Sequence, residues 1–171
     1  ESRRKSIFQE FKSRSQINNT EHIITAYQPE PVQYRGQEMV IYPMELAEGG
    51  NLRKKISELK EINDIEQRTK IVLELFEQMC KGVAASHEVG IAHLDIKPEN
   101  FLVHEGKSKV TDFGISRNLQ GGETDAFKMQ ENVGTGPYMA PEQHECGNPL
   151  MVDEKADLFS LGVCLYEMLH D

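Results

Sequence analysis

Apolar residues recur at Ile65, Val72, Leu75, Met79 and Val83, at spacings of seven, three, four and four that keep to one face of a 3.6-residue period. The pattern predicts a helix over residues 64–87. Asp64 stands where a carboxylate can cap the free amides of its first turn. Residues 2–17 read as another helix, with Ile7, Phe8 and Phe11 on one face among charged side chains. A third starts at Leu52 and runs to Leu59, after the break Ala47-Glu48-Gly49-Gly50-Asn51. The last segment, Leu158 to Leu169, is apolar on nearly every side and predicts a buried helix.

Between these lie shorter runs. Ile23 to Tyr27 is a strand candidate, closed by Gln28-Pro29-Glu30-Pro31 because proline supplies no amide to a ladder. Glu38 to Leu46 reads as a second, apolar strand. Phe101 to Val103 and Lys109 to Thr111 are short β-like pieces about a turn at Glu105-Gly106. The stretch Asn118 to Asn132 is polar and aperiodic, with Gly121-Gly122 inside it, and predicts a mobile functional loop. There is no internal repeat.

A chain of 171 residues suits one domain with a sizeable core. Its net charge of -9 argues against a nucleic-acid or anionic-membrane surface, since phosphate binding needs clustered Lys and Arg. The basic cluster Arg3-Arg4-Lys5, with Lys12 and Arg14, reads as an exposed helix face. Cys80, Cys146 and Cys164 form no C-x-x-C pair, which disfavours disulfides and structural zinc and points to a reducing, intracellular compartment, cytoplasmic or nuclear. No apolar run approaches the roughly twenty residues of a membrane span. The chain opens on Glu1, not Met, and reads as an internal piece of a longer protein.

The chemistry concentrates in His93-Leu94-Asp95-Ile96-Lys97-Pro98-Glu99-Asn100 and Asp112-Phe113-Gly114. Phosphoryl transfer needs a carboxylate near the attacking hydroxyl, positive charge near the phosphate and hard oxygen ligands for Mg²⁺. Asp95, Lys97 and the pair Asn100–Asp112 have those chemistries. Two short strands separate Asn100 from Asp112, and a hairpin of that length returns the chain so that both can face one metal. Further on come Gly134-Thr135-Gly136-Pro137-Tyr138-Met139-Ala140-Pro141-Glu142 and Asp157-Leu158-Phe159-Ser160-Leu161-Gly162.

Four motifs in this order resemble the catalytic half of a eukaryotic protein kinase of the serine/threonine type, and the resemblance covers nearly the whole chain. It implies an α+β, bilobal fold that is incomplete. Residues 1–46 would be the remainder of the small lobe, and 47–171 the hinge and the first part of the mainly helical large lobe. It implies ATP and Mg²⁺ as cofactors and a protein substrate with a Ser or Thr acceptor. By similarity, Asp95 is the catalytic base, Lys97 contacts the transferring phosphate, and Asn100 and Asp112 hold the metal. The Thr135 hydroxyl would bridge Asp95 and Lys97. Met44-Glu45-Leu46-Ala47 resembles the adenine-carrying hinge: Met44 takes the gatekeeper place, and the Glu45 carbonyl with the Ala47 amide and carbonyl meet the base. Leu102 would lie under the ring. His93, Phe113 and Asp157 match the regulatory spine and its anchor.

The departures matter as much. Leu94 stands where many kinases have an Arg that pairs with a phosphorylated loop residue, so dependence on loop phosphorylation, at Thr124 for example, should be weaker. No G-x-G-x-x-G precedes the hinge, and only Lys5 and Lys12 do, neither in an apolar strand. The C-helix glutamate is Glu10 if the following loop has one extra residue, while strict spacing puts Phe11 there. Glu99 is a hint of a basic substrate. With the large lobe's later helices not in this sequence, some of Leu161, Cys164, Leu165 and Met168 should face solvent. The rival reading is a pseudokinase or scaffold module without turnover. A third, an unrelated fold, requires residues 64–87 not to be helical.

Overall fold

A computed structural model describes residues 2–18, 21–114, 116–119, 135–144 and 152–170. The expected loop over Asn118 to Asn132, with Thr124, lies almost wholly outside the described residues, as does Cys146. The elements in chain order are α1 (Ser2–Ser15), β1 (Glu30–Tyr34), β2 (Gln37–Ile41), α2 (Leu52–Leu59), α3 (Ile65–Glu88), β3 (Ile91–Ala92), β4 (Phe101–His104), β5 (Lys107–Val110), β6 (Arg117–Asn118), α4 (Pro141–His144) and α5 (Lys155–His170). Among the described residues this is an α+β arrangement of helices and three two-stranded antiparallel sheets, β1–β2, β3–β6 and β4–β5.

The long helix α3 organises the rest. The Asp64 carboxylate accepts the Gln67 amide at 3.1 Å, the cap that its position predicts. Val72, Leu75, Met79 and Val83 are buried against β5 and α5. Ile65 shares their period but is 71% exposed, because α3's buried face begins only at Val72 and its first turns run past the core. Gly82 lets α3 approach closely: a Cβ there would lie 2.5 Å from the His22 carbonyl oxygen and 2.6 Å from Val110 Cγ2.

The hairpin β4–β5 turns at Glu105 and Gly106, whose φ values of 49° and 76° are those a type I′ turn requires. Against β5 lies the segment around Ile23, which is extended but is no strand of a sheet. Its contacts are a parallel bridge of Ile23 to Val110 and an antiparallel bridge of Ala26 to Met44. The strand in this region is β1, across Pro31, paired with β2 through Arg35-Gly36. A two-stranded sheet has an open edge on each strand, where a residue without an amide is tolerated. Strand β2 ends at Ile41, well before Leu46, as Pro43 interrupts the ladder and the chain crosses to meet Ala26.

Two expectations for the helices are corrected. Arg14 is not on an exposed face: it is 7% exposed, its Nε donating to the Ile24 carbonyl at 2.6 Å and Nη1 to the Ile17 carbonyl at 3.2 Å. Its guanidinium thus ties the end of α1 to the segment beside β5. Helix α5 is not buried on every side. Leu161, Cys164 and Met168 are buried, while Leu158, Phe159 and Tyr166 are exposed. Spacings of three and four put the buried set on one face against α3, and that face is already covered within this chain.

Candidate active site

The site is built on the turn that follows β3, and the backbone of that turn is strained. Leu94 has φ of 67°, a left-handed conformation that costs a branched side chain about 1–3 kcal/mol unless its surroundings impose it. They do. Asp157, fully buried at the start of α5, accepts the His93 amide on Oδ2 and the Leu94 amide on Oδ1, both at 2.7 Å. His87 Nε2, from the last turn of α3, lies 2.8 Å from Asp157 Oδ2. The Leu94 carbonyl accepts Gln143 Nε2 at 2.9 Å, and its side chain packs in a small cluster with Ala92, Ala140, Val152 and Ala156.

His93 is fully buried and its ring lies 4.9 Å from that of Phe113. Nδ1 accepts the Asp95 amide at 3.3 Å, and Nε2 lies 3.0 Å from the Thr111 carbonyl. An amide can only donate and a carbonyl only accept, so the ring carries its proton on Nε2.

Asp95 follows, and three side chains converge on it. Thr135 Oγ1 donates to Oδ1 at 2.9 Å, Lys97 Nζ donates to Oδ2 at 2.7 Å, and Asn100 Nδ2 donates to Oδ2 at 3.0 Å. Lys97 Nζ also donates to Thr135 Oγ1 at 2.7 Å, so the hydroxyl sits between the carboxylate and the ammonium. Asn100 Nδ2 further donates to the Asp95 carbonyl at 2.9 Å. Its nitrogen is thereby committed to Asp95, and Oδ1 is the atom left to meet a cation.

The β4–β5 hairpin brings in Asp112. The Thr111 amide donates to the Asn100 carbonyl at 2.9 Å, extending the ladder by one pair, and Asp112 is the next residue. It is exposed and has φ of 61°. Asn100 and Asp112 are hard oxygen donors and fit Mg²⁺, which takes one or two protein ligands and completes its shell with water and phosphate oxygens. Glu10 reaches the same place from α1: its Oε2 lies 3.7 Å from where a Cβ on Gly114 would be. Burial, with Asp112 adding to it, pushes the Glu10 carboxyl up to about 7.

The residues expected to form the hinge, Met44 to Ala47, lie just before a segment that pairs with β4. Gly49 donates its amide to the Val103 carbonyl at 2.9 Å and Val103 donates its own to the Gly50 carbonyl at 2.8 Å, while Asn51 bridges Leu102. These contacts set the half-buried Leu102 beside the segment that follows Ala47. Among the described residues the Glu45 carbonyl and the Ala47 amide and carbonyl enter no backbone hydrogen bond. The Glu45 side chain turns the other way, to Lys109. Burial opposes its charge, but hydrogen bonds from Lys109 and Thr25 outweigh it and hold its pKa below the usual value. Met44 is 46% exposed beside the bridge to Ala26.

Sequence reasoning missed three positions. Arg53 of α2 donates to Glu99 Oε1 at 2.8 Å and also to Glu167 and the Tyr138 hydroxyl, which itself donates to Glu167 at 2.6 Å. Glu99 is therefore already paired within the chain, which weakens it as a sign of a basic substrate. His87 and Gln143 were the others. No local pattern marks them, because the contacts that matter, His87 with Asp157 and Gln143 with the Leu94 carbonyl, span 70 and 49 positions.

A model of the protein kinase domain matches residues 1–171. The interferon-induced, double-stranded RNA-activated protein kinase of Rattus norvegicus is 38% identical over 128 residues, 74% of this chain and 23% of that protein. Serine/threonine-protein kinase PknL of Mycobacterium tuberculosis is 35% identical over 127 residues, 74% of this chain and 29% of its own length. Serine/threonine-protein kinase nekl-2 of Caenorhabditis elegans is 37% identical over 132 residues, 74% of this chain and 35% of its own. The matched part of the chain is thus between 23% and 35% of the length of these relatives. The chain belongs to the protein kinase family.

Proposed function

We propose that this chain carries the phosphoryl-transfer residues of a serine/threonine protein kinase, acting on Ser or Thr hydroxyls of proteins with ATP and Mg²⁺. The observation that carries the reading is the Thr135 hydroxyl held at 2.9 Å from Asp95 and 2.7 Å from Lys97. One acceptor carboxylate and one cation meet there around a single hydroxyl, the inventory that an attacking alcohol needs. The kinases to which the chain is similar support the same class.

In this reading Asp95 orients the substrate hydroxyl and takes its proton, and Lys97 places positive charge where phosphate charge gathers. Asn100 Oδ1 and the Asp112 carboxylate hold the metal. The Glu45 carbonyl and the Ala47 backbone groups receive the adenine edge, with Met44 and Leu102 against its faces. Bound Mg-ATP supplies the transferable phosphoryl group. Residues 1–46 act as the remainder of a small lobe, and 47–171 as the hinge and first part of a large lobe. Glu10 is the α1 carboxylate that faces the Asp112 site.

The 171 residues contain no glycine-rich phosphate clamp and no strand lysine before the hinge. Positioning is most of phosphoryl-transfer catalysis, so the isolated chain should transfer no phosphate. The test is phosphate transfer to a protein acceptor by the full-length protein, compared with Asp112→Asn. Transfer that the variant abolishes, with circular dichroism unchanged, is the expected result. A full-length protein that binds ATP and partners but transfers nothing would favour the scaffold reading.

A further inference from the structure

We infer that Gln143 is a positioning residue of the active site: its side-chain amide fastens the segment 135–144 to the catalytic turn and so sets Thr135 against Asp95. The inference rests on the proposed kinase activity and concerns what holds that site in shape. Gln143 is 5% exposed. Its Nε2 donates to the Leu94 carbonyl at 2.9 Å, and its Oε1 accepts the Ala140 amide at 3.0 Å. A short α4 thus reads both segments at once. Leu94 immediately precedes Asp95, and Ala140 lies five residues after Thr135.

The other end of the same connection is the Thr135 hydroxyl on Asp95 and Lys97. Between the two ends, the Leu94 side chain packs with Ala140 in the cluster that includes Val152 and Ala156. Leu94 holds a left-handed φ, so its peptide groups are the ones with most to gain by relaxing. Asp157 pins its amide, and Gln143 pins its carbonyl. A leucine at this place cannot pair with a phosphate. The buried amide and the apolar cluster supply instead a tie made of uncharged groups, independent of any modification of the loop between.

The test uses the full-length protein and Gln143→Glu, a change of similar shape. The introduced carboxylate still accepts the Ala140 amide but presents an acceptor to the Leu94 carbonyl, so the tie opens at one end. A displacement of about an ångström at the reacting groups costs up to roughly a hundredfold. We expect kcat to fall about tenfold to a hundredfold with the KM for ATP within about twofold, as befits a loss confined to the reacting geometry. The loss should shrink at low pH, where the introduced carboxyl is protonated and can donate to Leu94 again. An apolar change, Gln143→Met, should show the same kcat loss without pH recovery. Amide exchange at residues 93–97 and 135–140 should quicken in both variants, and this readout does not require turnover. If wild-type protein transfers no phosphate, the kinase reading fails, and exchange alone decides the role of Gln143. Unchanged exchange in folded variants overturns the inference. So does a kcat within twofold of wild type, or a loss of kcat matched by KM and melting temperature with no pH recovery.

Discussion

Replacing Asp157 by Asn should loosen the turn from His93 to Asp95 from beneath without changing Asp95 itself. The carboxylate has two oxygens and three partners: Leu94 N on Oδ1, and His93 N with His87 Nε2 on Oδ2. Asparagine has one oxygen, so its NH₂ must face at least one backbone donor. A hydrogen bond to a charged group contributes about 1.5–3 kcal/mol, and a buried donor left unmade costs about 1–3 kcal/mol. Relaxation of the left-handed Leu94 returns about 1–3 kcal/mol. At the middle of these ranges the net loss is about 2 kcal/mol, within the stability of a typical domain, so the fold should persist. Urea denaturation reads it as a lower midpoint at unchanged slope. With a slope of about 2 kcal/mol/M the shift is roughly 1 M. Amide exchange at His93, Leu94 and Asp95 should accelerate more than exchange in α3. A change under about 0.5 kcal/mol, the scale of an ordinary surface substitution, would refute the view that Asp157 imposes the turn.

Asp95→Asn in the full-length protein should lower the transfer rate by roughly 10²–10⁴ while ATP affinity barely changes; equal loss of ATP binding would place Asp95 in binding. Gly82→Ala should destabilise by about 1–3 kcal/mol despite alanine's better helix propensity, because its methyl meets the His22 carbonyl and Val110; a stabilised variant in a melting experiment would disprove this close approach. The Glu10 carboxyl is raised to about 7 against an ordinary 4.5. Its protonated form is the one the fold prefers, so its stabilisation is complete below about 4.5 and is lost as pH rises through about 7. In metal-free buffer Glu10→Gln should therefore raise the melting temperature at pH 8 and change it little at pH 4.5. Equal shifts at the two pH values would contradict the burial of that carboxyl beside Asp112.

Local rules made several elements legible in the chain alone. The heptad-like run from Val72 to Val83 and the Asp64 cap placed α3, because periodicity and capping act within one or two turns. The contact of Asp95 with Lys97 and Asn100 was also legible, since all three lie within one short turn, and a tight hairpin needs only local geometry to return Thr111 opposite Asn100. The tertiary structure decided what depends on distant partners. Arg14 is buried because the carbonyls of Ile17 and Ile24 lie in its path, which no count of charges along α1 reveals. Ile65 is exposed and Leu161 buried because their neighbours come from other elements. Proline made residues 28–31 look like a break, yet β1 runs through Pro31, since only the pairing partner shows which edge of a strand is open. The ties that hold Leu94 come from Asp157 and Gln143, 63 and 49 residues away, and a sequence records such residues without their contacts.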